Sequence, residues 1–490
     1  MYKPSLSEAK QLSEGYTIVP VSCEIFADIR TPIAVLQSIK AISNKYYLLE
    51  SVENGEKWGR YSFLGFNPVI ELKCKNGALE IKGSTPLKTQ TDDPNSFIRS
   101  ILKEYKSPTL SFLPPFTGGF VGYFAYEYIK YSEKTLDLGG IDDTNLNDVD
   151  LMLFDKVIAF DHFKQKIIII VNVKTDNLEI NYAQAIIELD NIVRLIKSTP
   201  PNDTYSSPSK LLSPFEPVFS KEEYCDIVAK IKHHIYEGDI FQAVISNRRS
   251  AKFEGSLLDT YRTLRTTNPS PYMFFLKLDD VEITGTSPET LVKLEAGNLS
   301  TFPIAGTKPR GNSEEEDSQL IEQLLSDEKE LSEHNMLVDL GRNDLGKISE
   351  FGSVEVKNYL TVLKFSHVIH IESKVVGKLR SDLDPLDAIS ALLPAGTLSG
   401  APKIRACQII NAVEGHKRGI YGGAIGYIDF TGNMDTCIAI RMAVLKDNTV
   451  FVQSGGGIVA DSVADSEYLE TVNKAQAVIN AIELSGRGIE

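Results

Sequence analysis

Cysteine is sparse and unpatterned. Five cysteines, at positions 23, 74, 225, 407 and 437, are scattered through 490 residues with no CxxC pair and no Cys/His cluster. That excludes a disulfide framework and a zinc site of familiar spacing, and it fits a reducing, cytoplasmic compartment. Long apolar runs are missing too. The most apolar stretch, residues 167–173, is too short to cross a bilayer and is followed by charge, so it reads as a buried strand. The first residues are polar and lack the apolar core of a signal peptide. No membrane association is expected. Positive charge is in deficit: 51 Lys and Arg against 66 Asp and Glu leave a net charge of −15. Phosphate backbones need the opposite sign, so nucleic acid is not an expected partner. A local cleft can still be positive, which leaves small anionic substrates open. There is no GxSxG, HExxH, Walker A or GxGxxG motif, and no GxCxG cysteine elbow.

What is present is ordinary globular material, 42% apolar and 24% charged. At roughly 150 residues per domain the length amounts to about three domains of chain. Residues 198–217 hold five prolines and five serines and read as a linker or long excursion. Before it, strand-like runs at 61–64, 69–72, 157–160 and 166–173 alternate with helical periodicity at 91–105 and 182–196. After it come a helix at 221–238 and strands at 241–246 and 273–278. One long helical stretch is expected at 313–341. Strands follow at 354–356, 367–376, 424–430 and 436–445, and a helix at 466–484 closes the chain. Thr431-Gly432-Asn433 joins 424–430 to 436–445 as a hairpin. Neighbouring antiparallel strands with interspersed helices indicate an α+β fold.

Three groups could carry chemistry. Glu330 and Glu333, and again Glu467 and Glu470, form ExxE pairs that place two carboxylates on one helix face. Two such helices could hold a magnesium ion through oxygen, or each could be a solvated face. Glycine-rich turns occur at Ser454-Gly455-Gly456-Gly457, Pro394-Ala395-Gly396-Thr397 and Ala305-Gly306-Thr307, where bare backbone can approach a ligand or can serve only the turn. Arg441 lies in an apolar strand-like run, on one face with Cys437, Ala439 and Ala443. It needs either an anionic ligand or a salt bridge. His370 shares a face with Val368, Glu372 and Lys374 and is either structural or a proton carrier.

Ordered motifs join these groups: LLES (48–51), RYSFLG (60–65), DIFQAVISNR (239–248), NPSPYMFF (268–275), TSPETLV (286–292), PIAGTKPRG (303–311), EHNMLVDLGRND (333–344), HVIHIES (367–373), PAGTLSGAPKIRA (394–406), YGGAIGY (421–427), DTCIAIR (435–441) and QSGGGIVADS (453–462). Over residues 20 to 485 the chain resembles the chorismate-utilising enzymes, and among them most closely the anthranilate synthase large-subunit (component I) type. The resemblance implies large antiparallel β-sheets packed face to face with helices outside. It implies an amino-terminal regulatory region over 20–197 that interleaves with a chorismate-binding catalytic domain over 218–485. It also implies Mg2+ held by Glu333 and Glu470 with Glu330 and Glu467 beside them. Chorismate contacts fall on Gly306, Thr307, Tyr421, Arg441, Lys474 and the backbone of Gly455, Gly456 and Gly457, with His370 and Thr397 near the departing C4 hydroxyl. Tryptophan, as feedback inhibitor, would meet Glu50, Ser51, Pro271, Tyr272 and Met273. Pro271 and Met273 offer apolar walls to an indole, and Glu50 and Ser51 can meet its ammonium group.

Two positions separate the family's reactions. Relatives that add water to the ring carry a lysine where this chain has Gln242, which cannot act as a base. Aminodeoxychorismate synthases read PIKGT where this chain has Ala305. Both point to ammonia as nucleophile and anthranilate as product, with aminodeoxychorismate synthesis, or a non-catalytic chorismate or tryptophan sensor, as the alternatives. Lacking a cysteine elbow, the chain would depend on a glutamine amidotransferase subunit (component II), in a heterotetramer, to release ammonia from glutamine. His370 is expected to protonate the leaving hydroxyl. One departure is Ser454-Gly455-Gly456-Gly457, where many relatives have Ala-Gly-Ala-Gly.

Overall fold

Residues 166–174 alternate isoleucine and valine so densely that both faces of a strand there must be buried. In a computed structural model of the chain, which describes residues 2–53, 57–198, 209–311, 313–364 and 368–486, the strand Lys166–Lys174 sends Ile168 and Ile170 into one core and Ile167, Ile169, Val171 and Val173 into another. Each fully buried side chain of this kind contributes about 1.5–3 kcal/mol. The two cores define the layers. One lies between two large antiparallel sheets. The other lies between one sheet and the helices Pro32–Lys40, Leu178–Lys197, Leu258–Thr267 and Ala464–Ser485.

The first sheet has 14 strands among the described residues, the second 12. Both draw on both halves of the chain. In the first, Tyr46–Glu50 pairs with Tyr272–Lys277, with Glu50 opposite Met273. In the second, Gly119–Phe124 pairs with Ala424–Asp429. The expected interleaving is therefore built into the hydrogen-bond ladders. Residues 199–208 of the expected linker lie outside the described residues, as does His367. Within 209–217, Lys210–Leu211 and Glu216–Pro217 are short strands on the edge of Gln242–Glu254.

Two expectations need correction. Residues 313–341 are not one helix but two, Glu314–Ser326 and Glu328–Gly346. Asp327 stands extended between them, and its carboxylate accepts the backbone N–H of Lys329 and Glu330. A short acid that caps its own following residues competes with helix continuation. The break sets the direction of the helix that carries Glu330 and Glu333.

Residues 436–445 are likewise not one strand. Met434–Ile438 ends in the second sheet and Met442–Lys446 begins in the first. Between them Arg441 takes a left-handed φ of 52°, a conformation that costs a residue with a Cβ about 1–2 kcal/mol. The simple alternation of Arg441 with Cys437, Ala439 and Ala443 does not hold across this crossover. A second crossover runs beside it, from Val281–Ser287 to Thr290–Glu295. The two are tied by Thr286 N–H to the Arg441 carbonyl (3.1 Å), Ile438 N–H to the Glu289 carbonyl (2.9 Å) and Ser287 Oγ to the Ile438 carbonyl (2.7 Å). The hairpin at 431–433 stands as expected, with Gly432 at φ 87°. All five cysteines carry free thiols, and no helix of the described residues is long and apolar enough to cross a membrane.

Candidate active site

The site forms where the two crossovers meet the helices Glu328–Gly346 and Ala464–Ser485. Gly455, Gly456 and Gly457 are not in a turn, as their composition suggested, but continue the strand Thr449–Ile458 opposite Ser246, Ile245 and Val244. Pairing with Met442–Lys446 covers only 449–452, so beyond that point the other edge of the strand is open. The Gly455 carbonyl accepts from Lys474 Nζ at 3.1 Å. A strand residue points its N–H to the same side as its C=O, so Gly455 N–H faces this edge as well. At Gly455 glycine is required by close approach: a Cβ there would stand 2.5 Å from the Ile245 carbonyl and 3.0 Å from Tyr421 Oη.

Arg441 donates to the Lys474 carbonyl at 3.1 Å. With Ser466, Leu469, Glu470, Asn473 and Lys474 it lines a cleft of about 450 Å³. Burial disfavours its charge, and Glu289, Tyr421 and Glu470 restore part of it. Tyr421 is buried, which drives its pKa upward. A half-buried guanidinium with no bidentate carboxylate among the described residues suits an incoming anionic ligand.

Glu470 lines this cleft, and Glu333 and Glu467 are close enough to feel its charge. Glu330 Oε2 lies 3.3 Å from where a Cβ on Gly306 would stand. Glu467 Oε2 and Glu470 Oε1 lie 3.1 and 3.7 Å from the corresponding point on Gly456. Burial raises the pKa of Glu333, and repulsion from Glu330 and Glu470 raises it further. Glu467 is raised by burial, with repulsion from Glu470 adding to it. Glu470 is held by Lys474 Nζ at 2.5 Å. Among the described residues no three acidic, imidazole or thiol groups converge on one point. The arrangement is an electronegative rim, which fits a cation that keeps several waters and takes further oxygens from its substrate, as Mg2+ does.

Gly306 lies at a bulge in Ile304–Pro309 with φ 68°, a conformation that favours glycine. Its carbonyl accepts His370 Nδ1 at 3.0 Å, and Thr307 pairs with His370 across the ladder. Burial lowers the His370 pKa; the bond to Gly306 opposes that and Arg441 reinforces it. The imidazole is therefore neutral near pH 7, with Nδ1 donating.

Sequence reasoning passed over Glu289, though it stands in the TSPETLV motif. Its carboxylate accepts from Thr397 Oγ1 at 3.0 Å. Burial raises its pKa against the opposing pull of Thr397, Lys474 and Arg441. Only the crossover brings it to Thr397; a lone Glu after Ser-Pro carries no such signal. Gln242 begins the strand Gln242–Glu254, buried, with its amide against Gly457.

Glu50, Ser51, Pro271, Tyr272 and Met273 all line a second cavity of about 860 Å³. The Glu50 carboxylate is shielded from solvent and bound by Arg265 through two bonds of 3.0 Å and by Tyr261 Oη at 2.5 Å. An ammonium group meeting it would share it with these partners.

Residues 45–480 match the model of the chorismate binding enzymes; the chain belongs to this family. Within it, the chain is 45% identical to anthranilate synthase component 1 of Acetivibrio thermocellus over 99% of both chains. It is also 45% identical to that of Aquifex aeolicus over 98% of both. The crystal structure of anthranilate synthase component I from Streptococcus pneumoniae superposes with a TM-score of 0.74 at 41% identity, covering 86% of this chain and 92% of that one. The menaquinone-specific isochorismate synthase MenF of Escherichia coli, at 18% identity and a TM-score of 0.70 over 97% and 98% of the chains, shares the fold.

Proposed function

We infer that this chain is an anthranilate synthase large subunit, which converts chorismate to anthranilate in tryptophan biosynthesis. The observation that carries this reading is similarity over nearly the whole chain to component 1 enzymes, joined to a site that gathers a half-buried arginine, a glycine strand edge and carboxylates from two helices. Arg441 and the glycine edge hold one substrate carboxylate, with Tyr421, Lys474, Gly306 and Thr307 around the ring. Glu333 and Glu470, supported by Glu330 and Glu467, would hold Mg2+ once Lys474 releases Glu470. When bound, the ion offers the ring carboxylate a positive partner and draws electron density from the conjugated ring.

Ammonia adds at C2 while the C4 hydroxyl departs. Glu289, whose pKa desolvation raises and which is fixed beside Thr397, suits donation to that hydroxyl, which leaves as water. Loss of the C2 proton and of pyruvate then yields the aromatic amine, and neutral His370 suits proton acceptance. Gln242 offers no base to activate water and Ala305 no nucleophile, which favours ammonia and the anthranilate outcome. A glutamine amidotransferase subunit supplies the ammonia. Residues 20–197 act as the regulatory region, and tryptophan occupies the 860 Å³ cavity.

The test is product analysis from chorismate, Mg2+ and ammonium. Anthranilate fluorescence and pyruvate should appear in equal amounts, and glutamine should substitute for ammonium only when an amidotransferase subunit is added. A hydroxylated or 4-amino product, or glutamine-dependent turnover by the chain alone, would overturn the reading.

A further inference from the structure

The cavity that holds Tyr272 and the small cavity behind Thr397 share a wall. Thr290 and Phe302 line both, the first of about 860 Å³ and the second of about 50 Å³. Glu289 and Thr397 line only the second. The Tyr272 hydroxyl reaches that wall. It lies 2.9 Å from Thr290 Oγ1 and donates to Asp435 Oδ1 at 2.8 Å. Thr290 is the next residue after Glu289, and Glu289 accepts from Thr397 at 3.0 Å. Thr290 is the first residue after one sheet crossover, and Asp435 lies in the strand Met434–Ile438 from which the other departs. Thr290 faces Cys437 across the ladder, and a register shift follows at once, between Thr290 and Val292. The ladder is locally disrupted there, and Thr290 is bonded in sequence to Glu289, so a group that pins Thr290 also restrains Glu289.

We propose that the Tyr272 hydroxyl is a positioning group for the reaction. Through Thr290 it fixes the Glu289 carboxyl against Thr397, and so joins the state of the larger cavity to the geometry of the active site. Tyr272 touches neither substrate nor Glu289 itself. An occupant of the larger cavity that turned the tyrosine ring would release Thr290 and let the crossover that carries Glu289 relax. The movement would also reach Arg441, because Thr286, Ser287 and Glu289 are bonded to the parallel crossover at Ile438 and Arg441. This coupling half of the proposal rests on the reading of the cavity as a tryptophan site; the positioning half does not.

The experiment uses the full chain and three variants: Tyr272→Phe, Thr290→Val and Thr290→Ser. Steady-state kinetics with chorismate, Mg2+ and ammonium should show kcat lowered about three- to tenfold in Tyr272→Phe and Thr290→Val, with KM for chorismate changed by less than about twofold. Thr290→Ser keeps the hydroxyl and should restore kcat, which a purely steric role for Thr290 would not produce. Calorimetry without magnesium then measures tryptophan binding with and without chorismate. The factor by which chorismate weakens tryptophan should shrink toward one in Tyr272→Phe while tryptophan still binds. Unchanged kcat in both Tyr272→Phe and Thr290→Val, or a Thr290→Ser enzyme as slow as Thr290→Val, overturns the positioning role. An undiminished coupling factor in Tyr272→Phe overturns the link. A parent that binds no tryptophan overturns the reading of the cavity, and the Thr290 series still decides the rest.

Discussion

Replacing Glu50 by glutamine separates two accounts of the same residue. In the structure its carboxylate closes a buried pair: Arg265 Nε and Nη2 each donate at 3.0 Å, Tyr261 Oη at 2.5 Å, and Ser62 Oγ lies 3.4 Å away. The Glu50 side chain is fully shielded and Arg265 is 19% exposed. Removing one partner of a buried pair costs about 3–5 kcal/mol, because the remaining charge loses its compensation. Here Arg265 retains some contact with water, and glutamine keeps one acceptor oxygen. A loss of about 2–3 kcal/mol is therefore expected. Urea unfolding followed by tryptophan-independent signals, such as far-ultraviolet circular dichroism, should show a lower midpoint with an unchanged slope. Restoring apolar contact at both ends, as in Glu50→Leu with Arg265→Leu, should recover part of the loss, since charge desolvation is then absent. If Glu50→Gln instead unfolds at the parent's midpoint and only tryptophan inhibition weakens, Glu50 is a ligand contact after all and the reasoning from the Arg265 pair is wrong.

Other outcomes follow from the same geometry. Glu333→Gln and Glu470→Gln should each abolish most Mg2+-dependent turnover while leaving the unfolding midpoint near that of the parent, because each removes an anionic oxygen from the rim; magnesium titrations of activity check this. Ser51→Phe should fill part of the 860 Å³ cavity and relieve tryptophan inhibition, with uninhibited turnover retained; inhibition curves for both proteins decide it. Asp150 is buried with its pKa pushed up to about 7, chiefly by desolvation, with Lys73 and Asn147 opposing. Below pH 4 both folded and unfolded states hold the proton. As pH rises toward 7 only the unfolded state releases it, so stability falls over that window and levels off above it. Asp150→Asn should match the parent at pH 4 and exceed it at pH 8 by up to about 4 kcal/mol, read from melting temperature against pH.

Much of the site was legible because its residues lie in local motifs. The ExxE pairs mark two helices by spacing alone, and the structure brings both to one cleft. His370 and Gly306 were separate signals until the strands Ile304–Pro309 and Val368–Lys378 paired. Glu289 was invisible as chemistry. Its neighbours in the chain say nothing of Thr397, which lies 108 residues away. The pairing of Glu50 was hidden for a related reason: its partner Arg265 is 215 residues distant.

Periodicity, length and turn chemistry were enough to specify most strands and helices, the hairpin at 431–433 and an α+β architecture. These depend on contacts within a few residues, which a linear pattern records. Composition likewise set the deficit of positive charge and the absence of disulfides. Asp327, whose side chain caps the residues just after it, broke residues 313–341 by a local contact that apolar periodicity does not register. Tertiary structure alone decided two things. It sent residues 436–445 from one sheet to the other through Arg441, although a local pattern favoured a single strand. It assigned each buried charge its partner, since desolvation makes pairing obligatory but leaves the choice of partner to whichever elements the fold brings together.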